Sequence, residues 1–149
     1  MDAYEIINDI LVNLVHEIWE MEEEAIITDD FKDISNNDMH IIEAIGLGED
    51  STMSMVAKKM GITAGSLTTA MNGLVNKKYV VRERGEIDRR IVFVTLTEKG
   101  KKAFYHHAEF HQKMVTAVVA KLEENEINVL LKSLQNLAEF FRSYKENLK

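Results

Sequence analysis

The side chains best equipped for chemistry with a partner are crowded between residues 82 and 90, which read Arg82-Glu83-Arg84-Gly85-Glu86-Ile87-Asp88-Arg89-Arg90. A guanidinium is a planar, permanently charged fork of donors that suits phosphate oxygens. Carried at the tip of a turn, it can also enter a narrow minor groove, where the negative potential is enhanced. Asp88 stands two residues before Arg90, near enough for its carboxylate to brace that guanidinium in one orientation. A second set lies upstream, where Ser66, Thr68, Thr69 and Asn72 are small and polar. Hydroxyls donate or accept, a threonine methyl can touch a thymine methyl, and an asparagine amide can bond adenine twice. Lys58, Lys59, Lys77, Lys78 and Arg82 complete the set as phosphate contacts, which position a protein on a duplex without reading it.

The distribution of charge agrees. The 149 residues carry a net charge of −7, yet residues 51–102 hold eleven lysines and arginines against four acids. The rest of the chain holds seven bases and twenty-one acids. A split of that size within a small chain marks one face for a polyanion, because phosphates meet a face rather than an average.

Elements that could present these groups follow from the periodicity. Residues 3–25 read as one amphipathic helix with Ile7, Ile10, Leu11, Leu14, Ile18 and Met21 in a stripe. Residues 28–33 form a polar break. Ser35 with Asp38 three residues on is a capping-box pattern, and the helix it opens carries Met39, Ile41, Ile42 and Ile45 and ends at GLGED, 46–50. A short helix, 52–60, with Met53, Val56, Ala57 and Met60 inward, closes at Gly61. Thr63 caps a helix over 64–77, whose Leu67, Ala70, Met71, Leu74 and Val75 face inward and whose Ser66, Thr68, Thr69, Asn72 and Asn76 face out. The period then changes to that of a two-stranded hairpin, 79–83 with 91–96, around Gly85–Asp88. Its tip carries Arg84, Arg89 and Arg90. Thr97 caps a long helix, 98–121, and a last helix, 124–146, aligns Leu130, Leu134, Leu137, Phe141 and Tyr144. The order is ααααββαα: mainly α with a hairpin wing beside a helix-turn-helix, the second helix of which enters a major groove.

Other classes are set aside by what the composition lacks. Without cysteine there is no disulfide, thiolate metal site or cysteine nucleophile. No apolar run approaches the roughly 20 residues of a membrane span, and the N-terminal MDAYEIINDI does not read as a signal peptide, so a cytoplasmic location is expected. An enzyme is not expected: there is no Gly-rich phosphate loop and no supported Ser-His-Asp order, and the best acid–base pair would be His107 with a glutamate. A dimerisation module alone would leave the arginine hairpin without a purpose.

These residues carry a family resemblance. The chain resembles the MarR family of winged-helix transcription regulators along nearly its whole length, most specifically in DRRIVFVTLTEKG at 88–100, close to that family's D-x-R…L-T-x-x-G pattern. The resemblance implies a homodimer interlocked by the first and last helices, so that residues 1–34 and 98–149 dimerise and 35–97 form the DNA-binding lobe. Two recognition helices would then sit roughly 34 Å apart on a palindrome. Within the family, FKDIS at 31–35, Met39-His40 with Ile45-Gly46, residues 66–90, and FHQKMV at 110–115 are similar to the repressors of bacterial fatty-acid synthesis. That subgroup implies repression of type II fatty-acid synthesis genes with long-chain acyl-acyl carrier protein as co-repressor. The acyl chain would meet Ile18, Trp19, Ile42, Phe104, His107, Phe110, His111 and Met114, and the acidic carrier would meet basic groups such as Arg84, Lys99, Lys101 and Lys102.

The histidines keep two alternatives open. His107 and His111 are four apart on one helix and His40 can approach from another, a spacing that suits zinc with a carboxylate from Glu20, Glu23 or Glu24. The pattern resembles the family's zinc-responsive branch but lacks two of its acids, Met39 and His106 standing in those places. The primary expectation is no metal cofactor; a regulator answering another small effector is the remaining alternative.

Overall fold

The computed structural model describes residues 2–26, 28 and 30–149. The chain divides into two compact units, residues 1–110 and 111–149. The element order is α1 (Ala3–Ile26), α2 (Asn36–Ile45), α3 (Met53–Met60), α4 (Ala64–Asn76), β1 (Val80–Arg84), β2 (Val92–Leu96), α5 (Glu98–Val119) and α6 (Glu124–Asn147). This is the expected ααααββαα order, with α5 ending two residues early in a turn at 120–122. The expected polar break is seen at its described positions; Asp29 lies outside them.

Local chemistry starts and stops these helices. Ser35 Oγ accepts from the Asp38 amide while the Asp38 carboxylate accepts from the Ser35 amide, a full capping box. Gly46, at φ +73°, ends α2. Thr52 and Thr63 cap α3 and α4, and Gly61 closes α3 in the left-handed region. The end of α4 has the same Schellman geometry without a glycine: the Tyr79 amide donates to Leu74 O and the Lys78 amide to Val75 O. Lys78 sits there at φ +67°, a conformation that costs an ordinary side chain about 1–2 kcal/mol.

In the first unit the core gathers Met39, Ile41, Ile42 and Ile45 of α2, Val56 of α3, Leu67, Met71 and Leu74 of α4, Tyr79 and Val80, Val94 and Leu96 of β2, and Ala103 of α5. Ala70, Val75, Met53, Ala57 and Met60 pack against it. The α3–α4 pair thus packs inward through apolar side chains, leaving the outer face of α4 open. The strands are antiparallel, in register from Val80↔Leu96 to Arg84↔Val92. Thr52 bridges to Phe93 and Ser51 O accepts from Val94 N, tying the hairpin to the start of α3. Helix α1 buries little of its apolar stripe within the chain. Its stripe, Ile7 to Met21, is exposed apart from the half-buried Ile18, and the positions α1 buries are Glu22 and Ile26.

Candidate nucleic-acid interface

Helix α4 presents Ser66, Thr68, Thr69, Asn72 and Asn76 to solvent on the face opposite Leu67, Met71 and Leu74. Their hydrogen bonds refine what they offer. Thr68 Oγ1 donates to Ala64 O at 2.8 Å and Thr69 Oγ1 to Gly65 O at 3.3 Å. Their protons are committed to the helix backbone, so towards a partner these hydroxyls accept and their methyls make apolar contact. Ser66 Oγ accepts from the Thr63 hydroxyl at 2.9 Å and keeps a proton to give. Asn72 retains both donor and acceptor character, which two hydrogen bonds to adenine require.

Strand alternation sorts the hairpin's charges. Arg82 and Arg84 line a groove of about 480 Å³ with Met53, Thr68 and Val92, beside the recognition face of α4. Glu83, between them, lines the groove on the opposite face with Glu49, Asp50 and Glu86, a groove that Arg84 also borders. At the tip, Arg90 donates from Nε to Asp88 Oδ1 at 3.1 Å and from Nη2 to Asp88 Oδ2 at 3.0 Å, and its amide donates to Oδ1 at 3.0 Å. The Arg90 hydrogen bonds hold the Asp88 carboxyl below its usual range, and the carboxylate raises Arg90 in turn. The expected brace is present, and the guanidinium it orients is almost fully solvent-exposed. Gly85 is required by space, since a Cβ there would lie 2.6 Å from Asp88 O.

The cations are less uniform. Lys58, Lys78 and Arg89 project into solvent. Lys59 donates to Ala44 O at 3.2 Å, and Lys77 is half-buried and 3.5 Å from Asp38. Lys99 is drawn inward, pairing with Asp33 at 3.6 Å and donating to Lys77 O at 3.1 Å. Lys101 pairs with Glu98.

The residues expected to meet a ligand differ in burial. Ile42 is wholly buried in the core, Phe104 packs against it, and Trp19 is 40 % exposed with its ring edge-on to His40. Phe110 is half-buried; His111 and Met114 lie further along α5, in the second unit. None of these lines the cleft of about 520 Å³ formed by Asp30, Phe31, Lys99, Lys102, Tyr105, His106 and Glu109.

The histidines reveal a residue the sequence reading missed. Glu22, 3 % exposed, receives His107 Nε2 at 2.6 Å and His40 Nε2 at 3.2 Å, with the Asn36 amide at 3.3 Å. His107 Nδ1 lies 3.5 Å from Glu43. Burial pushes the Glu22 carboxyl up, but hydrogen bonds from His107, His40 and Asn36 outweigh it and bring it down to about 2. The carboxylate is thus Glu22 and not the expected Glu20, Glu23 or Glu24, which are exposed, Glu20 being paired with His16. A signal was present: Ile18, Glu22 and Ile26 follow at four-residue steps, an acid embedded in an apolar row. His106 is separate, its Nε2 2.9 Å from Ala25 O.

Comparison with known proteins places this geometry. The family profile "Transcriptional regulator SarA/Rot" matches residues 26–106. The chain is similar to the Streptococcus pneumoniae FabT solved in complex with DNA, at 39 % identity and a TM-score of 0.89, covering 98 % of this chain and 99 % of that one. The Staphylococcus aureus MepR–DNA complex shares the fold at 20 % identity and a TM-score of 0.73, over 95 % of this chain and 99 % of that one. Among curated relatives, the Bacillus subtilis HTH-type transcriptional regulator PchR is 25 % identical over 146 residues, 89 % of this chain and 86 % of PchR.

Proposed function

From the premise that this chain belongs to the SarA/Rot family of MarR-type winged-helix transcription regulators, we propose that it is a cytoplasmic, homodimeric repressor of type II fatty-acid synthesis genes, with long-chain acyl-acyl carrier protein as co-repressor. That it is a DNA-binding transcription regulator follows from the family. The finer reading is supported by the likeness to FabT, which runs at 39 % identity along nearly both chains, taken with the fatty-acid-subgroup strings at 31–35, 66–90 and 110–115. Recognition assigns Ser66, Thr68, Thr69 and Asn72 to base edges, Arg90 to the minor groove, and Lys58, Lys78 and Arg82 to phosphates.

The exposed stripes of α1 and α6 provide the apolar surface that a homodimer buries. Of the expected acyl site, Ile42 and His107 are buried, whereas Ile18, Trp19, Phe104, Phe110, His111 and Met114 keep part of their surface open. Lys102, exposed on α5, is a basic group open to an acidic carrier, beside Lys101 in its surface pair with Glu98. A gel-shift titration on the promoter of a fatty-acid synthesis gene tests the reading. Acylated carrier protein tightens the complex and bare carrier does not; equal retention with both refutes the co-repressor assignment.

A second reading, a zinc-responsive regulator, is favoured by one observation: His40, His107 and Glu22 converge with two imidazole nitrogens and a carboxylate, a donor set that zinc accepts. His111 follows His107 by one turn of α5. On this reading, protein purified without chelator carries stoichiometric zinc that His107→Ala loses. Metal-free protein at micromolar zinc eliminates it.

A further inference from the structure

The end of the recognition helix is tied to the rest of its unit by a group of side chains that touch no base-facing position. Lys78 and Tyr79 leave α4 through the Schellman turn, and both of their carbonyls are held from β2's far end: Thr97 Oγ1 donates to Lys78 O at 2.7 Å and lies 3.2 Å from Tyr79 O. The same hydroxyl accepts from the Gly100 amide. A Cβ on Gly100 would fall 2.1 Å from Tyr79 O, so only glycine lets α5 approach this closely. Tyr79 is fully buried and its hydroxyl donates to Asp33 Oδ1 at 2.7 Å. That bond is the chief reason the Asp33 carboxyl lies below its usual range, with the Lys99 charge contributing.

Lys99 closes the group. From the first turn of α5 its ammonium donates to Lys77 O, the C-cap carbonyl of α4, at 3.1 Å. It pairs with Asp33 at 3.6 Å and lies 4.2 Å from the centre of the Tyr79 ring. One cation therefore joins the C-terminus of the recognition helix, the start of β1, the loop before α2 and the start of α5. Carbonyls at a helix C-terminus carry partial negative charge and favour a cation. The cost falls on α5, whose own N-terminus disfavours one. Lys99 therefore sits against the preference of its own helix and in favour of the recognition helix.

We infer that Lys99 is a positioning residue for sequence readout. With Asp33 and Tyr79 it fixes the angle at which α4 and the wing leave their common root, and so the register of Asn72 and Arg90 on a duplex. A merely structural role predicts lost stability, and a phosphate contact predicts equal losses on every sequence. A positioning role predicts lost discrimination, because base-edge hydrogen bonds fail with small misalignment whereas phosphate contacts tolerate it.

The inference rests on α4 being the base reader. The probe is a duplex that the wild-type chain selects from a randomised pool, measured by fluorescence anisotropy beside a random-sequence duplex at one salt concentration. If the wild type selects no consensus, the reading of α4 itself fails. With a selected duplex in hand, Lys99→Met, which keeps an unbranched apolar side chain and removes the charge, weakens binding to it by about tenfold while random-sequence binding changes by less than about twofold. Lys99→Arg restores most of the preference, and Tyr79→Phe moves it in the same direction as Lys99→Met. An unchanged ratio of the two affinities in Lys99→Met, whether both hold or both fall together, overturns the proposal. Should Lys99→Met fail to fold by circular dichroism, Tyr79→Phe, which removes a single oxygen, is judged by the same ratio.

Discussion

The helices of the winged lobe and the helices at the two ends of the chain share an amphipathic pattern and meet opposite fates. In ten residues α2 buries Met39, Ile41, Ile42 and Ile45, and in thirteen α4 buries Leu67, Met71 and Leu74. Helix α1, more than twice as long as α2, buries only Glu22 and Ile26, and the 24 residues of α6 bury none. Ile7, Leu11, Leu14 and Trp19 on α1, and Leu134, Phe140, Phe141 and Tyr144 on α6, remain exposed. A stripe of this kind commits a segment to being a helix but does not say against what. In the lobe the partner is the same chain. At the ends it is unmet, and a second copy of the chain is the partner we propose.

The largest expected effect tests that contrast at its open side. Leu14→Ala with Phe141→Ala weakens self-association by about 4 kcal/mol, read by sedimentation equilibrium, and leaves the far-ultraviolet spectrum unchanged. A protein whose mass and dimerisation constant do not move shows that these stripes serve something else. On the closed side, Leu67→Ala costs about 3 kcal/mol of folding stability by urea titration. That loss does not depend on protein concentration; one that did would blur the distinction between the two groups of helices.

The third prediction concerns the one place where α1 does bury polar chemistry. The folded-state pKa of Glu22 lies near 2 against an ordinary value of 4.5. Its ionisation therefore stabilises the fold at pH above the unfolded value, and that contribution is lost as pH falls through the interval toward 2. In metal-free protein, wild type loses up to about 3 kcal/mol more than Glu22→Gln across that window. Parallel stability curves for the two proteins would show that the buried carboxylate does not carry the effect. The smallest effect is on the exposed wing. Arg90→Ala lowers affinity for a selected duplex by about 2 kcal/mol without changing the melting temperature, because the side chain is almost fully exposed and its hydrogen bonds go to the neighbouring Asp88. Near-native affinity would remove the wing from the interface.

The outcome of each expectation follows its range in sequence. The capping box at Ser35 and Asp38 and the turn at Gly61 were legible because every participant lies within a few residues. So was the Asp88–Arg90 brace, two residues apart. The hairpin was legible because its strands are joined by a seven-residue loop, although each strand starts one residue later than the pattern indicated. The buried carboxylate was assigned to the wrong glutamates because Glu22 meets His107 across 85 residues, and only packing decides which of several acids on α1 faces inward.

By itself the sequence determined the helices, the wing, the basic face and the side chains that α4 shows to a partner, since periodicity and local hydrogen bonds act over one or two turns. Tertiary structure alone decided that Lys77 pairs with Asp38 and that Lys99 pairs with Asp33 and donates to the end of α4. It also placed Asp33 and Tyr79, 46 residues apart, in one hydrogen bond at the root of the recognition helix. Those outcomes depend on which surfaces exclude water together, and burial is a property of the assembled core that no local spacing encodes.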